Sequence, residues 1–399
     1  MNAEPYPLLQ LKRGEERRLR AGHLWVFSNE VDVAKTPLTA FAAGDPCRIV
    51  DYTGRELGSG YVNPGTLIAA RLLDRGGHAL DRALFVHRLN VALALRERCY
   101  DEPYYRLAYG ESDGVPGLTV ERIGEVVVAQ ATTAGIERLR EPISAAIEKV
   151  LSPRVLVWKN DSSARLQEGL ACYVEGSAAL GGEPVLVHEG GLQFAVDVDE
   201  GQKTGWFFDQ KGNRDRLAPY VKGRSVLDMF SYVGAWGLRA AAFGASEVTC
   251  VDASAAAARQ IARNAERNAL SDRVDAVTAD AFDYLKAARS ERRHFDVVIL
   301  DPPAFVKRKK DLKEGALAYR RLAEAAMQVL ARDGVLVLCS CSYHMPAAAL
   351  LEGIQAAARH LDRFVQVLEP LSQGPDHPLH PAIPETAYLK GYICRVLPA

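Results

Sequence analysis

Three acids stand where apolar, strand-like runs end. Asp228 closes Val226-Leu-Asp, Asp252 closes Val248-Thr-Cys-Val-Asp 24 residues later, and Asp280 follows Val274–Thr278. The loop Asp228-Met-Phe-Ser-Tyr-Val-Gly234 leaves the first run and enters a helical stretch. A glycine there lets the backbone come close to a ligand, and a helix start offers unpaired N–H groups. The acid at the second strand end is placed to bind ribose hydroxyls. At the third, Asp280 can accept from an exocyclic amine while Phe282 lies along a ring. Phe230, Ser231, Ala253, Ser254 and Ala281 belong to the same loops and join the candidate cofactor residues. The loop lacks the G-x-G-x-x-G spacing that holds a pyrophosphate, which argues against NAD. Acids at successive strand ends suit a positively charged nucleoside without phosphate, and S-adenosylmethionine is such a cofactor. A plainer reading, in which these acids cap the helices that follow, stands beside it.

A second constellation lies further on. Ile299-Leu-Asp-Pro-Pro-Ala-Phe305 is an apolar run ending in Asp301, and Pro302 and Pro303 fix φ and remove two donors, giving a rigid loop. Such a motif can hold a planar base, with the acid at its edge and Phe305 on its face; stacking of that kind contributes ~1–3 kcal/mol per base. Phe305 could equally be a core residue. Gly334-Val-Leu-Val-Leu-Cys-Ser-Cys-Ser-Tyr-His344 then brings two cysteines. Cys339 lies within the apolar run and reads as packing. Cys341 falls just past it, where a side chain can project into a cleft. A thiolate there could add to carbon-6 of cytosine, making carbon-5 nucleophilic enough to take a methyl group. Asp301 would hydrogen-bond the N3/N4 edge of that base, whereas no residue stands out as the base that removes the carbon-5 proton.

Asp228-Met-Phe-Ser-Tyr-Val-Gly234 with Asp252, Asp280 and Asp301-Pro-Pro303 resembles the class I S-adenosylmethionine-dependent methyltransferases. Gly201-Gln-Lys-Thr-Gly-Trp-Phe-Phe-Asp-Gln-Lys-Gly-Asn-Arg214 is similar to the segment before the cofactor loop in bacterial large-subunit rRNA methyltransferases, and Ser340-Cys-Ser342 to the S-C-S motif of the RlmI-type 23S rRNA cytosine carbon-5 methyltransferases. The resemblance covers essentially the whole chain. It implies that Lys203 and Thr204 lie near the cofactor, that Asp209 and Arg214 support the site, and that Cys341 is the nucleophile. Two departures are Lys211, where the family usually shows Arg, and Cys339, where relatives often carry a larger apolar residue. The expected reaction is methyl transfer to carbon-5 of a cytosine in 23S rRNA, free or in an assembling large subunit, with a homodimer left open and no metal. Two rivals remain. One is a base-nitrogen methyltransferase on guanine that does without Cys341; the other is a non-catalytic RNA-binding or assembly protein that has kept the fold.

Basic residues cluster where RNA would be met. Lys307, Arg308, Lys309 and Lys310 follow the Asp-Pro-Pro loop directly and could neutralise phosphates. Near the start, Arg17 and Arg18 sit among Lys12, Arg13 and Arg20, ahead of Gly22-His-Leu-Trp-Val-Phe27. Gly44–Val50 and Gly58–Pro64 look like a PUA module, a small β-barrel carried by RNA-modifying enzymes. Arg106–Gly117, Trp158–Asp161, Asp376-His-Pro378 and Tyr388-Leu-Lys-Gly-Tyr392 also match the family; for His377 both a structural role and assistance at the active site are open.

The elements that must position these groups follow from patterning. Short apolar stretches with frequent turn signals over residues 1–75 predict a β-rich, PUA-like domain. A helical run from about Leu80 to Tyr100, then strand-like Val126–Gln130 and Val155–Lys159 around a helical Ile136–Leu151, predict a small α+β domain over 76–188. From 189 to 399, strand-like and helical runs alternate, as in a doubly wound, mostly parallel sheet: the fold class is α/β, a Rossmann-like methyltransferase domain preceded by two small domains. The 399 residues are 48% hydrophobic and 25% charged, a globular composition, with a net charge of −1 that makes any nucleic-acid contact a matter of local patches. The longest apolar runs are far shorter than a membrane span. Seven cysteines and an N-terminal stretch without a secretory signal predict reduced thiols and a cytoplasmic protein.

Overall fold

The structure is a computed structural model that describes residues 6–198 and 205–399. By contacts the chain forms two compact units, one of residues 1–185, 196–208 and 375–386, the other of 186–195, 209–374 and 387–399. Within the first unit a buried polar network links the stretches expected to form the PUA-like and the small α+β domains. Glu168 takes Arg71 Nη1 at 3.0 Å, Asn63 Nδ2 at 2.7 Å and Ala134 N at 3.2 Å, and Tyr61 donates to Pro116 O at 2.8 Å. The segment 375–386 joins the same unit, with Asp376 Oδ2 accepting from Arg106 N at 3.0 Å and Tyr109 donating to Thr386 O at 2.9 Å. No spacing rule brings a segment near the C-terminus back to an N-terminal sheet.

Two five-stranded sheets make up the first unit. The first runs in the order Leu8–Gln10, Asp45–Val50, Glu56–Val62, Ile68–Asp74, Trp25–Phe27; its outermost pair Leu8–Gln10/Asp45–Val50 is parallel. The second runs Tyr173–Glu175, Val155–Asn160, Val126–Ala131, Leu118–Ile123, Tyr104–Tyr109, with helices Arg82–Cys99 and Arg140–Leu151 in the same unit. Strand Tyr104–Tyr109 overlaps the start of Arg106–Gly117, for which the sequence gave no strand signal.

The second unit is built on seven strands: β1 (Ser225–Met229), β2 (Glu247–Asp252), β3 (Val274–Thr278), β4 (Phe295–Leu300), β5 (Leu330–Ser340), β6 (Arg363–Ser372) and β7 (Lys390–Pro398). Their order is β3-β2-β1-β4-β5-β7-β6, with β1 to β5 parallel and β7 antiparallel to both neighbours. Helices α1 (Ala235–Ala242), α2 (Ala255–Arg267), α3 (Ala281–Ser290), α4 (Leu312–Gln328) and α5 (Ala347–His360) form the crossovers. Strands β1 and β4 are mostly apolar, interrupted by Asp228 and Asp296, because a parallel sheet is covered on both faces. Leu227, Met229, Val298, Leu300, Leu336 and Leu338 are almost fully buried against Leu285, Leu322, Leu350 and Ile354 of the helices. Each such side chain contributes roughly 1.5–3 kcal/mol on leaving water. The edge strand β6 escaped the sequence reading; it is largely exposed and carries Pro370, as edges do. Among the described residues no helix is long and apolar enough to cross a membrane.

Candidate active site

The reversal of strand order in this sheet falls between β1 and β4, and ligands of such sheets bind outside the strand carboxyl ends at that point. The loop after β1 is under strain. Phe230 and Tyr232 both hold positive φ, +63° and +51°, which costs of order 1–3 kcal/mol per residue and persists only where the surroundings impose it. What imposes it here is visible. Ser231 donates through Oγ to Asp228 O at 2.7 Å and through its N–H to Val251 O at 3.1 Å, and Tyr232 N donates to Asp252 Oδ2 at 2.9 Å. Gly234 follows at φ +84°; a Cβ there would stand 2.7 Å from Leu238 Cδ1 and 3.2 Å from Ile261 Cγ2. Glycine is thus required by backbone angle and by packing against α1 and α2.

The three strand-end acids have different surroundings. Asp228 is fully buried and accepts from Gly237 N at 3.0 Å, so it ties β1 to the first turn of α1. Its Oδ1 has no protein partner, and burial pushes its carboxyl up to about 7. Asp252 is half-buried and receives Tyr232 N and Ser254 N, both at 2.9 Å; Ser254, not Asp252, caps α2, accepting from Ala257 N at 3.3 Å. Asp280 is exposed and caps α3 through Oδ1, accepting from Phe282 N at 2.8 Å and Asp283 N at 3.2 Å. Capping therefore holds for Asp280, and in a modified way for Asp228, without excluding a ligand role for either. Phe282 beside it leaves 43% of its surface exposed, unusual for a ring with no partner to cover it. Ala253 and Ala281 lie in the same two loops, while Lys203 and Thr204 fall outside the described residues. Carboxylates, an exposed ring and no phosphate cradle suit a cationic nucleoside, so the residues fit S-adenosylmethionine.

Asp301 follows β4 at the centre of a polar cluster. Gln210 Nε2 lies 3.0 Å from each of its oxygens and Trp236 Nε1 donates to Oδ2 at 3.0 Å. Gln210 is itself held by Asn213 Nδ2 at 2.6 Å. Burial pushes the Asp301 carboxyl up to about 6, the Trp236 bond opposes that and the nearby Asp209 charge adds to it. Arg214, buried, makes two 2.6 Å bonds to Glu189, and Asp209 accepts from the Tyr388 hydroxyl. Gln210 and Tyr388 lie in stretches the sequence singled out and Trp236 in the helix that follows the Asp228–Gly234 loop, but no spacing assigned them a role; Glu189 had no signal at all.

The loop after β5 carries Cys341. Leu300 pairs with Leu338 across β4 and β5, so Asp301 and Cys341 leave the same edge from adjacent parallel strands. Cys339 is fully buried, and burial raises its thiol; Cys341 is partly exposed. Tyr319 of α4 fixes the Ser-Cys-Ser turn, its hydroxyl 2.8 Å from Ser340 Oγ and 3.1 Å from Ser342 Oγ. Val306 N donates to the same Ser342 Oγ at 3.1 Å, which ties the Asp-Pro-Pro loop to the cysteine loop. Phe305 is half-buried with its ring 4.7 Å from that of Tyr319; Pro302 is buried and Pro303 exposed. Tyr319 sits in an ordinary amphipathic helix, and only the fold reveals it.

Lys307, Arg308, Lys309 and Lys310 are all exposed, and Arg308 pairs with Asp311 at 2.9 Å. In the first unit Arg17 is exposed, whereas Arg18 is committed to Glu30 at 2.7 Å and lies over the Phe27 ring, so a phosphate would have to compete with a carboxylate for it. His377 is buried in that unit, 2.9 Å from Asp376 and against the Tyr109 ring.

Residues 9–75 match a PUA-like domain and residues 163–393 an S-adenosylmethionine-dependent methyltransferase. The chain is 37% identical over 396 residues to the ribosomal RNA large subunit methyltransferase I of Shewanella denitrificans, covering 97% of this chain and 99% of that protein. With the enzyme of the same name from Shewanella amazonensis it shares 37% over 401 residues, again 97% and 99% of the two chains. A methyltransferase solved with SAH bound superposes with a TM-score of 0.82 at 22% identity, over 98% of this chain and 100% of that one, which carries the fold. The strand order, the strained loop after β1 and these full-length matches agree: the chain belongs to the S-adenosylmethionine-dependent methyltransferases, in the family of the ribosomal RNA large subunit methyltransferases I.

Proposed function

We propose that the protein methylates carbon-5 of a cytosine in 23S rRNA, with Cys341 as nucleophile. The observation that carries the reading is the placement of Cys341, partly exposed in a turn pinned by Tyr319, just past β5 and next to the strand β4 that leads into Asp301. In this reading the Cys341 sulfur bonds to carbon-6 of the base, and the ring electrons shift to carbon-5. Bound S-adenosylmethionine supplies an electrophilic methyl group. Loss of the carbon-5 proton and expulsion of the Cys341 sulfur then restore the aromatic ring. Asp301, held by Gln210 and Trp236, faces the N3/N4 edge of the base and accepts from the N4 amino group, and Asp252, Asp280 and Phe282 hold the nucleoside of the cofactor. The cations at 307–310 bind phosphates beside the site, and the PUA-like sheet supplies further RNA surface.

Incubation of unmodified large-subunit rRNA with labelled S-adenosylmethionine, digestion to nucleosides and identification of the labelled one tests the reading. The expected product is 5-methylcytidine, with Cys341→Ala reducing its formation by several orders of magnitude. A labelled methylguanosine, or an active Cys341→Ala variant, overturns the cysteine mechanism in favour of base-nitrogen transfer.

A further inference from the structure

Lys390 opens β7 directly opposite Ser340, the last residue of β5. Its side chain then reaches back across the turn, and Nζ donates to Ser342 O at 2.6 Å. The lysine is therefore anchored by backbone pairing to the residue before Cys341 and by its ammonium to the residue after it. We propose that Lys390 is a positioning residue for the nucleophile, holding the Cys341 sulfur in its thiolate form and the Ser-Cys-Ser turn in one geometry. The inference rests on the reading of Cys341 as nucleophile.

The electrostatics run in the same direction. Burial pulls the Lys390 ammonium down to about 8, and the one effect opposing this is its attraction to Cys341. Attraction is mutual, so the cation that gains a proton from the pair also helps the thiol lose one to solvent. Three other described groups near the turn push the opposite way or are neutral. Tyr319 on α4 interacts with Cys341 and is kept protonated by burial. Asp301 and Asp209 act on neighbouring Cys339 as negative charges that oppose a thiolate, as does Cys341 itself. Among these groups on the described residues, Lys390 supplies the positive charge. A neutral thiol on carbon-6 would be a far weaker nucleophile, because the thiolate is the reactive form.

Alkylation of Cys341 by iodoacetamide, followed on its own peptide by mass spectrometry across pH, reads the thiolate without any RNA. In Lys390→Met the midpoint should rise by about one pH unit, within the range an adjacent charge imposes. Lys390→Arg should restore most of the shift, since it keeps the charge. Lys390→Gln serves as a second neutral variant should the Met variant fail to fold, and a melting curve on each checks the fold. An unchanged midpoint in a folded neutral variant, or a raised one in Lys390→Arg as large as in the neutral variants, overturns the proposal. The product analysis above separates the two failures: a shifted midpoint with no 5-methylcytidine leaves the Lys390–Cys341 pair standing and removes the mechanism, whereas 5-methylcytidine with no shift removes only Lys390.

Discussion

The Gln210 amide lies 3.0 Å from each oxygen of Asp301, and with Trp236 on Oδ2 it holds the carboxylate in one orientation beside β4. Both bonds favour the ionised form, against burial that pushes the carboxyl up to about 6. The ionised form is therefore lost as pH falls through about 6, and an acid limb in kcat/KM is expected there. Gln210→Ala removes one of the two hydrogen-bonding partners and leaves the Arg214 charge in place, so the limb should move to higher pH by about one unit. A pH–rate profile of the variant with the limb unmoved would break the link between Asp301 and activity.

Asp228 gives the fold itself a pH dependence. Its carboxyl titrates at 3.8 when unperturbed and near about 7 in the folded protein. Between those values the folded state holds the extra proton, so stability falls as pH rises, by up to about 1.4 kcal/mol per pH unit. Asp301 contributes the same sign below about 6. Asp228→Asn keeps an acceptor for Gly237 N and cannot ionise; its urea midpoint should be flatter than that of the parent between pH 6 and 7. Parallel curves for the two proteins would contradict the raised carboxyl.

The Glu189–Arg214 pair is buried on both sides, 1% and 2% exposed, and makes two bonds of 2.6 Å. Leaving either charge alone should cost ~3–5 kcal/mol, while replacing both by apolar groups should cost much less. Glu189→Met and Arg214→Met are each expected to lower the melting temperature sharply, and the double variant Glu189→Met/Arg214→Met to recover most of it. Strict additivity of the single losses would argue against a coupled pair.

Lys307, Lys309 and Lys310 are exposed beside the Asp-Pro-Pro loop. If they contact phosphates of single-stranded RNA, replacing all three by Ala should lower the slope of log K against log salt by about 2, at ~0.7 per contact. Binding measured at several salt concentrations checks this. An unchanged slope would mean a merely solvated loop.

Much of the architecture was legible because it is local. Apolar runs of strand length alternating with helical ones foretold β1 to β5, and an acid at or near the end of each early strand marked the loops proposed to hold the cofactor. The positions of Cys339 and Cys341 were equally local: one residue inside the run is buried, and one past it is partly exposed. Interactions between segments distant in the chain were not legible. Tyr319 reaches the cysteine turn from the middle of a helix, Gln210 meets Asp301 from 91 residues away, and Lys390 meets Ser342 from 48. Hydrophobic period reports which face of an element is covered but not which polar group of another element will meet it. The amino-acid order therefore determined the parallel strands β1 to β5, the candidate cofactor loops and the nucleophile candidate, while tertiary packing alone decided the edge strand and which partners orient and charge these groups.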